Sequence, residues 1–465
     1  MSSSILPGLV DIVGVAHVLR GEPCSPYDID ERRLFQGRAL AVVRPATVGE
    51  VARVVSLCAA QRVPMVPHGG NTGYCGGATA DPSGTQLVIS LERLNRIHAV
   101  DARAYTLTMD AGVVLADAQA AAAAQQCLLP LAMGSQGSCQ IGGNLSTNAG
   151  GLTVLKYGSS RDLTLGLQVV LPDGRVLDHL STLRKDNTGY DLKQLFIGAE
   201  GSLGIITAAV LKLYPGSMRQ CAWLVLAKAE LALDLLAVLR AKSQDGVTSF
   251  EYMGGAALAL MASATPTLKA PLAGDHHVLV EMLAQEGDDR LDQALTQAHE
   301  SGLLEDVVVA QNETQRGQLW RLRESIPAAE KILGGSIKHD ISVPLAQVAD
   351  YIARATAMLA ARWPGARPSV YGHVGDGNVH FNVLAPAADD PAAFKARHGE
   401  AISDVLHDLA HGMAGSFSAE HGVGVLKRDL LARYADPIAL TLMRQLKSSI
   451  DPFNLMNPGK LIPPV

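Results

Sequence analysis

The chain has 465 residues, enough for two or three domains, with 48% hydrophobic residues and a formal net charge of −6. It has no basic block and only 4% aromatic residues, which argues against nucleic acid and anionic membrane as principal partners. Six cysteines (Cys24, Cys58, Cys75, Cys127, Cys139, Cys221) form no CxxC pair and read as reduced thiols of a reducing compartment.

Residues 1–20 lack a basic n-region, and Asp11 interrupts the apolar run, so no signal peptide is expected. No stretch approaches the ~20 apolar residues of a membrane span, and a cytoplasmic location is the expectation. Residues 40–67 predict strand, helix, strand. Thr47 with Glu50 forms a capping box, and Val51, Val54, Val55 and Cys58 follow at helical spacing.

The next loop, PHGGNTGYCGG at 67–77, has five glycines in eleven residues. Bare backbone N–H groups there can take an anion such as a pyrophosphate. A turn-rich segment and another strand follow it, whereas a Rossmann motif needs a helix at that point, so the loop is expected to join strands. The Ala-rich stretch 114–128 reads as a helix. A second glycine segment, GSQGSCQIGGNLSTNAGG, spans 134–151. The run Leu167 to Val176 reads as a hairpin turning at Asp173-Gly174. A third glycine loop, GAEGSLGIIT at 198–207, follows Leu195-Phe196-Ile197, which is read as a strand. Three such loops exceed what turns require and fit a long ligand held by backbone, such as a dinucleotide.

From 222 to 310 the glycine loops stop. Strand runs Cys221 to Ala227 and His277 to Met282 alternate with helices at 229–242 and 290–302, so a second α/β domain is expected. In QLWRLRESIPAAEKILGGSIKHDISVPLA, residues 318–346, Lys338 precedes a short strand through Asp340 to Val343. A helix at 346–361 and a hairpin at 369–384 follow.

That hairpin, YGHVGDGNVHFN at 371–382, carries the densest cluster of polar groups. A two-residue turn at Asp376-Gly377 would set His373 opposite His380 and Tyr371 opposite Asn382. Opposed residues have Cβ atoms roughly 5 Å apart, close enough for two imidazoles to share one metal ion. Asn382 shares the face of His380. Downstream, GSFSAEHGVGVLKR at 415–428 places Glu420 and His421 side by side, giving a ligand and a base different directions. Two His with a distant Glu form a His₂Glu set with open positions. His407 and His411 stand at i, i+4 like a zinc protease pair. Asp408 replaces the Glu base, however, and Gly412 ends the helix, so the pair is expected in a solvated last turn. Residues 400–465 are expected to be helical. On residues alone, a metal-dependent hydrolase and a flavin carrier without catalysis stay open.

Six motifs in one order, from PHGGNTGYCGG to the terminal DPFNLMNPGK, resemble a known family. It is the flavin dehydrogenases of the vanillyl-alcohol oxidase/PCMH-type FAD-fold superfamily, in the D-lactate/D-2-hydroxyglutarate/glycolate branch. The resemblance runs from about residue 35 to residue 461. It implies an α+β protein with a PCMH-type two-part FAD-binding domain over 1–217. An α/β substrate domain with an antiparallel sheet would span 218–400, and a small, mostly helical C-terminal segment 401–465.

The resemblance also implies site residues. FAD would meet Pro67, Gly69, Gly70, Asn71, Thr72, Gly73 and Gly77 in the first loop. In the second it would meet Met133, Gly134, Ser135, Gly137, Ser138, Gly142, Asn144, Thr147 and Gly150. Glu200, Gly204, Ile205 and Asn457 complete the set. Asn71 stands where covalently flavinylated relatives carry a His, which implies non-covalent FAD. A zinc ion, or another divalent metal such as Mn²⁺ or Co²⁺, would be held by His373, His380 and Glu420, with His421 as base. Asn382 and His421 would touch substrate. The segment WRLRESIP with Lys338 is similar to the D-2-hydroxyglutarate dehydrogenases, where the matching Arg and Lys bind the distal carboxylate. Arg323 and Lys338 therefore imply D-2-hydroxyglutarate, with D-lactate, D-malate or glycolate as alternatives. The rival arrangement is that both cations pair with Glu324 and Asp340 on the surface. Pro327 stands where similar enzymes often have Thr. The implied partners are an electron-transfer flavoprotein or quinone as acceptor and a second copy in a homodimer.

Overall fold

The capping signal at Thr47 forms. Its hydroxyl accepts the Glu50 N–H at 3.1 Å, and Glu50 reaches back to the Ala46 N–H at 2.7 Å. The helix it starts, α1 (Val48–Gln61), buries Val51, Val54, Val55 and Cys58. This is a computed structural model, and it describes residues 5–463. The chain divides into two units. One takes in the chain up to Gly150, then Gly158–Gly216 and everything from Glu420 on. The other holds Gly151–Tyr157 and Ser217–Ala419.

Among the described residues the first unit contains three sheets, one of them a two-stranded pairing of Cys127–Leu128 with Tyr214–Pro215. In one, β1 (Val18–Leu19), β2 (Ala41–Val43), β4 (Leu87–Ser90) and β3 (Met65–His68) lie in that order, with β2, β4 and β3 parallel. The first glycine loop leaves β3 and reaches β4 without an intervening helix, as its turn-rich sequel predicts. The second sheet is antiparallel, in the order β5 (Ile97–Asp101), β6 (Thr106–Asp110), β9 (Ile205–Lys212), β7 (Thr164–Val170), β8 (Val176–His179). The β7–β8 hairpin turns at Asp173-Gly174 as expected, with Gly174 at φ 88°. The strand read at Leu195-Phe196-Ile197 is instead a helical turn, Lys193–Phe196. Three apolar residues specify no period. The carbonyls a strand partner would bind are taken by the Arg161 guanidinium, which donates to Gln194 O and Ile197 O.

The second unit is built on one antiparallel sheet of seven strands. These are β10 (Met218–Leu226), β11 (Val247–Gly254), β12 (His276–Ala284), β13 (Asp306–Val309), β14 (Asp340–Ser342), β15 (Arg367–Gly372) and β16 (Asn378–Leu384). Their order is β13-β10-β12-β11-β15-β16-β14. Residues of β10 alternate between two cores. Ala222 and Leu224 pack with Leu235, Leu291, Tyr351 and Leu406, while Cys221 and Trp223 pack with Met261, Trp320 and Ile326. The second core receives α2 (Glu313–Ile332). The first receives α3 (Val348–Arg362) and α4 (Pro391–Gly412). The boundary read at 400 falls inside α4, whose Phe394, Ile402 and Leu406 share that core.

Two further readings are corrected. The β15–β16 register pairs Tyr371 with His380 and Ser369 with Asn382, so His373 is not the cross-strand partner of His380. The turn is longer than two residues. The His373 carbonyl accepts the N–H of Asp376 at 3.1 Å and of Asn378 at 3.2 Å, and Gly372 at φ 155° bends the strand away before it. His407 is not in a solvated turn. The helix α4 ends at Gly412 as expected and leaves His411 exposed, but His407, one turn earlier, is 6% exposed and packs against His339, at 5.4 Å between centroids. None of the six cysteines is in a disulfide, and all six are buried. Among the described residues, no helix is long and apolar enough to cross a membrane.

Candidate flavin groove and polar hairpin

The three glycine loops of the first unit pack on one another through backbone. A Cβ on Gly70 would lie 2.1 Å from Ser138 O, and one on Gly201 3.0 Å from the Pro67 ring. Only glycine permits the first approach. Other glycines of the same loops face open space, with nothing within 4 Å of a Cβ on Gly73, Gly134, Gly137 or Gly143. Two cavities of about 130 and 450 Å³ open there and share Thr72, Gly73, Asn144, Thr147 and His421 in their walls. The N–H groups of Gly69 to Gly73 give no hydrogen bond to backbone among the described residues. Gln140 Oε1 is buried at the wall without a partner. A groove of bare glycine backbone, with donors unused and a buried acceptor unsatisfied, fits the phosphates and ring edges of a dinucleotide.

The last segment of the chain closes this groove. The Glu200 carboxylate accepts the N–H of Val423 and of Gly424, each at 2.7 Å. Burial pushes this carboxyl above its ordinary range, against the pull of those two N–H groups and of Lys427. Asn457 Nδ2 donates to Gly77 O at 2.9 Å and to Glu200 O at 2.7 Å, tying the first loop to the third. Lys460 donates to Asn457 Oδ1 at 2.9 Å, and burial pulls its ammonium down to about 8. The His421 ring then stands edge-on to Tyr74, 4.9 Å between centroids.

In the second unit, the polar groups of the β15–β16 hairpin are held by buried carboxylates. His373 Nδ1 lies 2.6 Å from Glu251 Oε1, while Glu251 Oε2 takes Arg323 Nε and Nη2, each at 2.8 Å. Burial would raise the Glu251 carboxyl, but its neighbours His373 and Arg323 outweigh that and hold it down at about 2. Asn382 Nδ2 donates to both Glu330 oxygens, at 3.0 and 3.1 Å, and to the Tyr371 hydroxyl at 3.1 Å. Lys338 Nζ donates to Glu330 Oε2 at 2.8 Å. The pairing of Arg323 and Lys338 with Glu324 and Asp340 is therefore not the one formed.

The rings of His373 and His380 are 5.6 Å apart at 80°. Asp340 Oδ1 lies 3.9 Å from His380 Nδ1. Its backbone oxygen accepts the Ala419 N–H at 3.2 Å, one residue before Glu420.

Of the implied cofactor residues, Pro67, Gly69 to Gly73, Gly77, Met133, Gly134, Ser135, Ser138, Asn144, Thr147, Gly150 and Glu200 line the two cavities. Gly137, Gly142, Gly204, Ile205 and Asn457 are not in those walls. Gly142 and Gly204 instead allow close packing, with Cβ positions 2.7 Å from Ala111 Cβ and 2.8 Å from Val169 Cγ1. Ile205 is buried at the start of β9. Sequence reasoning missed Glu251, Glu330, Asp340, Gln140 and Tyr74. A signal existed for Glu251, a lone acid inside the apolar run Val247–Gly254.

The open glycines yield a test. Gly73→Val fills empty groove without touching protein, so the variant should fold with an unchanged Tm in the absence of cofactor. It should still purify with much less bound flavin, read from visible absorbance. Full flavin content in that variant would show that the groove is not the cofactor site.

Residues 218–461 match the family described as FAD linked oxidases, C-terminal domain, and residues 39–179 match the FAD binding domain. The chain is 37% identical over 472 residues to the mitochondrial D-2-hydroxyglutarate dehydrogenase of Bos taurus, covering 100% of this chain and 84% of that protein. It is also 37% identical to D-2-hydroxyglutarate dehydrogenase of Xanthomonas citri pv. viticola, covering 95% of this chain and 94% of that one. The solved structure of p-cresol methylhydroxylase with substrate bound shares the fold. The TM-score is 0.75 at 16% identity, over 99% of this chain and 96% of that one. With the glycine groove and the full-length likeness in hand, the chain belongs to the FAD-linked oxidase family, in its D-2-hydroxyglutarate dehydrogenase branch.

Proposed function

We propose that this protein oxidises D-2-hydroxyglutarate to 2-oxoglutarate, with His421 as the base that takes the C2 hydroxyl proton. The observation that carries this reading is the place of His421, whose imidazole lines both cavities of the glycine groove. A base on the wall of a flavin groove is where proton removal and hydride loss can occur on one substrate carbon. FAD, when bound, supplies the acceptor for the hydride of C2. The first and second glycine loops would hold it, with Asn457 and Glu200 fixing the loops around it. No histidine follows the Gly69-Gly70 pair, and His68 is buried with Nδ1 on Ala78 O at 3.0 Å, so the attachment is non-covalent.

A divalent metal, zinc by resemblance, would be held by His373, His380 and Glu420 and would supply a Lewis acid for the substrate carboxylate and hydroxyl. Support comes from the spacing of the His373 and His380 rings, 5.6 Å between centroids. The Glu251 carboxylate on His373 Nδ1 leaves Nε2 as the donor, the usual arrangement behind a ligating histidine. Arg323 presents Nη1, unused by Glu251, and Lys338 presents an ammonium to the distal carboxylate. Asn382 orients substrate beside them. The electron acceptor, an electron-transfer flavoprotein or quinone, the homodimer and a cytoplasmic location are part of the same proposal and rest on the sequence reading.

One observation favours a second reading. Both cations already have carboxylate partners, Glu251 and Glu330, which weakens their pull on a second carboxylate and admits D-lactate or glycolate, which carry none, as the better substrate.

Three outcomes are expected. Acid precipitation should leave the yellow colour in the supernatant; colour in the pellet would refute non-covalent attachment. Chelator treatment or His380→Ala should strip the metal, read by elemental analysis, and nearly abolish turnover while flavin stays bound. A metal-free protein with full activity would sink the metal role. Arg323→Ala should cost about 2–5 kcal/mol in kcat/KM for D-2-hydroxyglutarate, the scale of a broken buried charge pair. D-lactate should lose much less. Equal losses for the two acids would favour the second reading.

A further inference from the structure

We propose that Glu251 is a positioning residue that couples recognition of the substrate's far carboxylate to the metal centre. The inference rests on the metal and substrate roles proposed above. Glu251 lies in the middle of β11 and is 0% exposed. Its two oxygens are divided between two tasks. Oε2 takes Nε and Nη2 of Arg323, both at 2.8 Å, and Oε1 faces His373 Nδ1 at 2.6 Å.

Burying one carboxylate requires one cation, and Arg323 alone meets that need. The second oxygen is spent on a histidine that a purely structural pair would not require. Holding Nδ1 fixes the His373 tautomer, so that Nε2 carries the lone pair. The guanidinium is held from a second side, with Arg323 Cζ 4.9 Å from the centre of the Tyr371 ring. The Tyr371 hydroxyl accepts the Asn382 amide at 3.1 Å. Arg323 is thus locked in place with Nη1 left over. A carboxylate arriving at Arg323 and a metal on His373 therefore act on the same buried anion from opposite ends.

The test uses the full-length holoenzyme and Glu251→Gln, which keeps the shape and removes the charge. Zinc affinity is measured without substrate, by competition with a chromophoric chelator. kcat and KM are measured for D-2-hydroxyglutarate and D-lactate at saturating zinc. Glu251→Gln should bind zinc roughly 10–100-fold more weakly, the range for loss of a carboxylate behind a ligating histidine. With zinc restored, D-lactate turnover should largely recover, while KM for D-2-hydroxyglutarate stays raised because Arg323 is no longer fixed. Unchanged zinc affinity, or equal residual losses for both acids, would overturn the coupling. If Glu251→Gln does not fold, Glu251→Asp keeps the charge but is too short to span both partners, and the same two readouts decide in the same way. A wild-type protein that binds no zinc would instead remove the proposed metal centre, a failure distinct from that of the bridge.

Discussion

The half-buried carboxylate of Glu200 is the constraint on which the first unit depends. A carboxylate out of water needs donors, and it finds them in Val423 and Gly424, more than two hundred residues along the chain. That pair of bonds, with Asn457 across Gly77 and Glu200, sews the C-terminal segment onto the glycine loops. His421 reaches the groove because the two residues after Gly422 are pinned there. Glu200 itself sits at φ 51°, a left-handed conformation a glutamate seldom adopts, and the surrounding bonds hold it there.

The second unit repeats the device inside its sheet. Glu251 and Glu281 on neighbouring strands and Glu330 on α2 are all buried, and each has cationic or N–H partners. Arg323 and His373 serve Glu251. Arg219, Arg316 and Trp320 serve Glu281. Lys338, Ser336 and Asn382 serve Glu330. Such groups add little net stability over apolar packing, but removal of one partner is costly, so they fix orientation. The polar side chains of the β15–β16 hairpin are therefore not loose groups awaiting a ligand. Their donors are aimed by partners that lie under the sheet surface.

This arrangement bears on substrate choice. An arginine that already holds a carboxylate presents a smaller net charge to a ligand than a bare one, and relies more on geometry. Under the proposed function, discrimination between a dicarboxylate and a monocarboxylate would depend on where the Nη1 edge of Arg323 points and how firmly it is held. Pro327 lies within α2, four residues after Arg323, and contributes no hydroxyl. In that proposal the recognition would fall to the guanidinium and to Lys338.

Local chemistry made much of the protein legible in its sequence. The capping pair Thr47 and Glu50, the Asp173-Gly174 turn, the three glycine loops and the adjacent Glu420-His421 pair are short-range features, and short-range physics decides them. The placement of the loop after β3 between strands followed from the residues just downstream. Other features were decided by partners far along the chain. Lys193 to Phe196 is a helical turn, and Arg161 takes the Gln194 and Ile197 carbonyls beside it. The hairpin register shifted because the His373 carbonyl accepts two N–H groups and Gly372 bends first. His407 is buried because it lies on the face of α4 that packs against His339. The buried acids show the division most plainly. The sequence by itself determined that a glutamate interrupts an apolar strand at 251 and that a histidine and an arginine stand at 373 and 323. Only the tertiary structure brought them together, since a carboxylate taken out of water must find its opposite charge wherever the sheet places it.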